Sequence, residues 1–216
     1  MTYRDLVPGT CFLAWAGQDG LVKKAVVFPY VGLPFADVRE DDWFYQAVVS
    51  AVNQGLMKGT GDRAFSPDGS MTRAQAVRAL YQMAGSPAVT AAVPEYTDFS
   101  GRDDMTALAW AAGCGIVRGY SDGTFRLDAA VTREQFAVLL YRWVREQGGG
   151  FQGNWMFLLD YPDRDRIAGY AYESVAWCTM QGILTGRSDG TLAPDEPVSR
   201  AAAAVMLQRC QEWKKI

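Results

Sequence analysis

The sequence contains no histidine, which removes the most common general base at neutral pH and, with it, any Ser-His-Asp or Cys-His arrangement. Cysteine is scarce: Cys11, Cys114, Cys178 and Cys210 stand far apart and form no C-x-x-C pair. With no imidazole to complete a ligand set and no paired thiols, neither a zinc site nor a cofactor is expected. Four scattered thiols read as small buried hydrophobes rather than a disulfide framework. A basic excess is missing as well. The formal net charge is −3, whereas phosphates call for concentrated Lys and Arg, so nucleic acid is set aside as a partner. No run approaches the ~18 apolar residues needed to cross a bilayer, and residues 11–16 are too short for a signal-peptide core. The expectation is no membrane insertion and no export signal. The chain is then either a mature or shortened piece of a secreted protein or one that stays in the cytoplasm.

What is present is an apolar content of 49% with 21% charged residues, enough for a folded core, and a repeat. Gly55-Leu56-Met57-Lys58-Gly59 returns as Gly115-Ile116-Val117-Arg118-Gly119 and again as Gly182-Ile183-Leu184-Thr185-Gly186, spaced by 60 and then 67 residues. The same offsets carry Phe65 to Phe125 and Leu192, and Met71-Thr72-Arg73 to Val131-Thr132-Arg133 and Val198-Ser199-Arg200. An aromatic-x-Asp stands upstream of each glycine pair: Phe35-Ala36-Asp37, Tyr96-Thr97-Asp98 and Tyr161-Pro162-Asp163. One frame links several separate elements, the mark of an internal repeat. The modules span residues 35–86, 96–147 and 161–216, and an N-terminal extension spans 1–34. In that extension residues 11–16 and 22–30 suggest a β-hairpin turning at 17–20. Residues 85–94 and 148–153 read as linkers, and apolar residues 155–159 are expected to pack.

Within a module the apolar spacing is helical twice. Trp43, Ala47, Val48 and Ala51 mark the first helix of copy one, Leu108, Ala111 and Ala112 that of copy two, and Gly55 and Gly115 end them as left-handed caps. The second helix opens at Thr72, Thr132 or Ser199. Gln75 and Gln135 complete capping boxes, but Ala202 in copy three loses half the device. Val77, Leu80, Tyr81 and Ala84, with their counterparts Ala137, Leu140, Tyr141 and Val144, form a core stripe. Between the helices, Asp122-Gly123 and Asp189-Gly190 supply tight reversals. The loop is not a calcium loop, because the EF-hand ligand pattern is absent. One such unit buries little alone; three packed together bury more, so the second helices are expected to meet around a shared axis.

The informative residue is the arginine opening each second helix, Arg73, Arg133 and Arg200, where a cation opposes the helix dipole. Two readings stand side by side. The guanidinium is a structural ion pair, to the module's own Asp37, Asp98 or Asp163 or to a neighbouring copy; or it joins the helix-start amides to hold an external anion. Trp43, Trp110 and Trp177 are placed on the first helices as core residues. Tyr120, in a turn, is the better ligand candidate.

These residues resemble the S-layer homology module, found in threes on bacterial surface proteins: aromatic-x-Asp, an amphipathic helix with Trp, Gly-Ile-x-x-Gly, Asp-Gly-Thr-Phe and Val-Thr-Arg-Glu-Gln, in that order, from residue 35 to about 213. The resemblance implies a mainly α fold, with three helix-loop-helix modules forming a pseudo-threefold spindle around a central three-helix bundle. It implies non-catalytic anchoring at the cell surface through secondary cell-wall polysaccharide, typically pyruvylated, bound in grooves between modules. The family's binding arginine would fall on Arg73, Arg133 and Arg200, and its glycine-turn contacts on Gly59, Gly119, Tyr120 and Gly186. Copy one departs from the pattern at Gly59-Thr60-Gly61-Asp62-Arg63 and copy three at Ser199-Arg200-Ala201-Ala202, which singles out the groove containing Arg133. The competing readings are a structural or protein-binding scaffold and, third, a wall-polysaccharide hydrolase, which needs two close carboxylates in a cleft.

Overall fold

The first helices end for the same reason in each copy. A computed structural model of the protein describes residues 11–16, 22–28, 33–89, 95–98, 104–153 and 157–213, and in it helices α1 (Tyr45–Asn53), α3 (Met105–Gly113) and α5 (Tyr172–Met180) all close in a Schellman motif. Gly55, Gly115 and Gly182 take φ of 70°, 69° and 67°. The amide of the following residue then reaches back: Leu56 to Ala51, Ile116 to Ala111 and Ile183 to Cys178, each at 2.8 Å. Only glycine adopts this conformation without strain.

Helices α2 (Arg73–Met83), α4 (Arg133–Glu146) and α6 (Arg200–Trp213) follow the loops. Thr72 and Thr132 form full capping boxes with Gln75 and Gln135, whereas Ser199 accepts only from the Ala202 amide at 3.2 Å. Most of the predicted stripe is core: Val77, Leu80, Ala137, Leu140, Tyr141 and Val144 are buried, while Tyr81 and Ala84 at the end of α2 are half-buried.

The modules close into a ring by exchanging neighbours. Helix α3 packs on α2, α5 on α4, and α1 on α6, so each first helix lies against the second helix of the module before it, with copy one lying against copy three. Tyr81 meets Trp110 and Tyr141 meets Trp177, with centroids 5.5 and 5.4 Å apart, at equivalent places in two of these seams. At the axis the strand-like residues before the second helices bond head to tail. The amide of Met71 donates to the carbonyl of Val198 at 3.0 Å, Val131 to Met71 at 2.9 Å, and Val198 to Val131 at 3.0 Å. All three side chains are fully buried. This triangle, with α2, α4 and α6 leading away from it, is the centre of the pseudo-threefold spindle.

Residues 1–35 cluster separately from 36–216. In the first unit, β1 (Cys11–Ala16) and β2 (Val22–Phe28) pair antiparallel, with an irregularity between Trp15 and Ala16. The expected turn at 17–20, the linker from residue 90 and the packing of Trp155 and Met156 lie outside the described residues. Of the apolar segment after the second linker, Leu159 is buried and Leu158 is 70% exposed. Among the described residues, no helix is long and apolar enough to cross a membrane.

Candidate ligand-binding grooves

Each second helix begins by bonding to the next module. The amides of Arg73 and Ala74 donate to the carbonyls of Ala129 and Leu127, both at 2.9 Å. Those of Arg133 and Glu134 donate to Glu196 and Pro194, and those of Arg200 and Ala201 to Gly69 and Pro67. The amide half of the expected anion site is therefore already occupied. The same carbonyls lessen the field that a cation at a helix start would oppose.

The arginine side chains follow the same direction. Arg73 Nε donates to the Phe125 carbonyl at 2.9 Å and Nη2 to Arg118 at 3.4 Å. Arg133 donates to Leu192 and Thr185, both at 2.8 Å. Arg200 donates to Phe65 at 2.8 Å and to Lys58 from Nη2, and its Nη1 adds a contact to Gln75 Oε1 at 3.3 Å. The three residues are only 3–8% exposed, and burial is the main influence lowering their pKa values. An arginine remains a cation under such a shift. No carboxylate lies in ion-pair range of these arginines among the described residues, so neither form of the expected salt bridge is present.

The repeated aspartates serve the other side of the same peptide. Asp37 accepts from the amides of Phe65 and Ser66, Asp98 from Phe125 and Arg126, and Asp163 from Leu192 and Ala193, at 2.6–2.9 Å for the shortest bond to each amide. Ser66, Arg126 and Ala193 have φ of 57°, 60° and 51°, a left-handed conformation costly for non-glycine residues. Thus Phe125 donates its N–H to Asp98 and receives Arg73 on its carbonyl. This locks a strained turn beneath the seam.

Above each clamp lies an open groove. Arg73 shares one of about 210 Å³ with Arg118, Gly119, Tyr120, Arg142 and Tyr170. Arg133 shares one of about 490 Å³ with Gly186, Arg187, Asp189, Arg209 and Trp43. Arg200 shares one of about 160 Å³ with Lys58, Gly59, Gln75 and Arg78. The ring thus brings every sequence-predicted residue to a groove, shifted by one module: Gly119 and Tyr120 join Arg73, Gly186 joins Arg133, and Gly59 joins Arg200.

The glycines have a packing reason to be there. A Cβ at Gly119 would collide with the Tyr96 ring, and one at Gly186 would come within 2.7 Å of Tyr161. Tyr120 lies under two guanidinium groups, 5.0 Å from that of Arg73 and 4.1 Å from that of Arg126.

Trp43, expected in the core on the first helix, sits before α1 and is 70% exposed. Trp110 is half-buried and Trp177 buried. Trp43 and Tyr170 occupy the same frame position, separated by two module lengths, as Arg142 and Arg209 do by one; those coincidences were the available signal for groove residues. Of the cysteines, Cys178 and Cys210 are buried free thiols, with burial pushing Cys210 up to about 12. Among the described residues no cluster of three or more His, Cys, Asp or Glu could hold a metal.

Known proteins are similar to this chain in sequence. The chain is 26% identical to cell surface glycoprotein 1 of Acetivibrio thermocellus over 76% of its length, 27% identical to an endoglucanase of a Bacillus species over 84%, and 26% identical to the cellulosome-anchoring protein of A. thermocellus over 73%. It spans 7%, 19% and 35% of those relatives, respectively. The sequence profile of the S-layer homology domain matches three times, at residues 34–77, 95–137 and 160–204, and with the repeat, the ring and the three seams agreeing, the chain belongs to the S-layer homology domain family.

Proposed function

We propose that the chain is a non-catalytic anchoring module that binds an acidic, pyruvylated secondary cell-wall polysaccharide in the grooves between its modules and so holds its bearer at a bacterial cell surface. The observation that carries this reading is the state of Arg73 and Arg133. Carbonyl oxygens fix the plane of each guanidinium without cancelling its charge, and each group lines an open groove. A preorganised cation with N–H donors to spare suits a carboxylate. Trp43 beside Arg133, and Tyr120 and Tyr170 beside Arg73, add apolar faces on which a sugar ring can stack. The names of relatives that are anchoring and surface proteins support the same reading. The relative that is an endoglucanase is matched over 19% of its length, which is consistent with a shared module beside a separate catalytic region.

The Arg200 seam favours a structural role. Its guanidinium has a third contact, to Gln75, its groove is the smallest and contains no aromatic, and the nearby Arg78 is paired with Asp104. We assign binding to the Arg73 and Arg133 grooves and ring closure to Arg200. Cosedimentation with purified sacculi tests the assignment. Binding should be lost once the pyruvylated polymer is removed; equal binding before and after removal would sink it.

A further inference from the structure

The groove beside Arg73 does not end at Tyr170. A second hollow of about 350 Å³ adjoins it along α4 and shares Arg118, Val138, Arg142 and Tyr170 with it. Its far end is formed by Arg145, Glu146 and Glu173. From Gln135 to Arg145 the two hollows follow roughly 15 Å of helix, longer than one sugar ring. The Arg73 groove is therefore the mouth of a trough.

Three features suit that trough to an extended acidic ligand. The first is its charge: Arg73, Arg118, Arg142 and Arg145 line it against Glu146 and Glu173. Arg142 is half-buried and uses Nη1 on the Ile116 carbonyl at 3.1 Å, which holds the group in place and leaves its charge unpaired by any carboxylate among the described residues. Arg145 is only loosely held, 3.7 Å from Glu173, whose carboxylate already accepts from the Tyr141 hydroxyl at 2.7 Å.

The second is the fixed position of Tyr170. Its hydroxyl donates to Glu134 at 3.1 Å, and the second Glu134 oxygen accepts from the Ala168 amide at 2.9 Å. Glu134 is buried; copies one and three have Ala74 and Ala201 at its position. The ring it holds is 61% exposed and borders both hollows, a platform at the junction.

The third is asymmetry. Gly85 and Glu212 stand where Arg145 stands in this copy, and Gln82 stands where Arg142 does in copy one. Copy three keeps Arg209 at the Arg142 position but lacks the second arginine, so the pair Arg142 and Arg145 belongs to this seam.

Resting on the proposed wall-polymer function, we propose that this seam contains a second anionic subsite: a segment of at least two acidic repeating units lies along α4, one acidic group at Arg73, the next at Arg142 and Arg145, with a sugar ring across Tyr170. The Arg133 groove takes a single acidic unit.

Calorimetric titration of the full chain with two probes tests this, using a pyruvylated monosaccharide and a fragment of two repeating units with a pyruvate on each. The longer probe should bind about tenfold tighter. Arg145→Gln should reduce that gain to about twofold or less while leaving the monosaccharide within about twofold of wild type, and Glu146→Gln should enlarge the gain. The subsite is overturned if both probes bind wild type equally, or if Arg145→Gln leaves the longer probe unaffected. If neither probe binds wild type, the polysaccharide reading itself fails and takes the subsite with it.

Discussion

The Nε–H of Arg200 donates to the Phe65 carbonyl at 2.8 Å across 135 positions of sequence, with the guanidinium carbon 4.5 Å from the centroid of the Phe65 ring. This bond joins the last module to the first. Arg200→Ala would leave the Phe65 and Lys58 carbonyls without their donors, at about 1–3 kcal/mol each where buried. The expected outcome is a loss of about 2–5 kcal/mol, a drop of roughly 5–15 °C in the thermal midpoint. Arg200→Lys should recover less than half of it, because one ammonium cannot reproduce a planar fork reaching two carbonyls. Thermal unfolding followed by circular dichroism checks both, and an unchanged midpoint in Arg200→Ala would show that the ring does not depend on this clamp.

The aspartates under the clamps make the fold acid-sensitive. At Asp37 and Asp163 burial works against ionisation, but the amide bonds from Phe65 and Ser66, and from Leu192 and Ala193, outweigh it. At Asp98 the bond from Phe125 is the largest influence. All three pKa values lie below the ordinary carboxylate value, near ~3.9 in an unfolded chain. Their stabilisation is complete above that value and disappears as pH falls through the lower folded values. The thermal midpoint should begin to fall below about pH 5 and keep falling below ~3.9, and Asp→Asn at all three positions should flatten that fall. A triple variant with the wild-type slope would assign the acid sensitivity elsewhere.

The sequence made the helices, caps and repeated site residues legible because each rests on local chemistry: Gly55 in a Schellman turn, Gln75 in a capping box, Leu80 on an apolar stripe. The partner of each arginine was not local. Nothing in residues 72–75 states that Arg73 will reach into the next module and bond to Phe125, so both expected readings, an ion pair and an amide-assisted anion site, missed a clamp built on carbonyls. The misplacement of Trp43 has the same origin. It falls on the apolar spacing of α1, but the chain enters that helix two residues later, and α6 of another module turns the ring into a groove wall.

Gly119 separates a packing role from a ligand role. A side chain there meets the Tyr96 ring and comes within 3.0 Å of the Thr124 carbonyl, so Gly119→Ala must shift one of them. Overpacking of this kind costs about 1–3 kcal/mol. Tyr96 packs on Phe125, with centroids 5.3 Å apart, and Phe125 carries the Arg73 clamp. The substitution should therefore lower stability and weaken binding at the Arg73 groove together. Unchanged stability with lost binding would make Gly119 a direct contact instead.

Trp43 offers the opposite separation, since its exposed side chain contributes little to the core. Trp43→Ala should leave the thermal midpoint within about 2 °C of wild type, as surface substitutions usually do. If its ring stacks on a sugar held by Arg133, losing a contact of about 0.5–1.5 kcal/mol weakens wall-polymer affinity roughly 2- to 10-fold. Trp43→Phe, which keeps an aromatic face, should restore most of it. Because Trp43 belongs to copy one while Arg133 and Gly186 belong to copies two and three, the loss would also show that this groove needs all three modules. An affinity unchanged in Trp43→Ala would show that the Arg133 groove does not use the Trp43 ring.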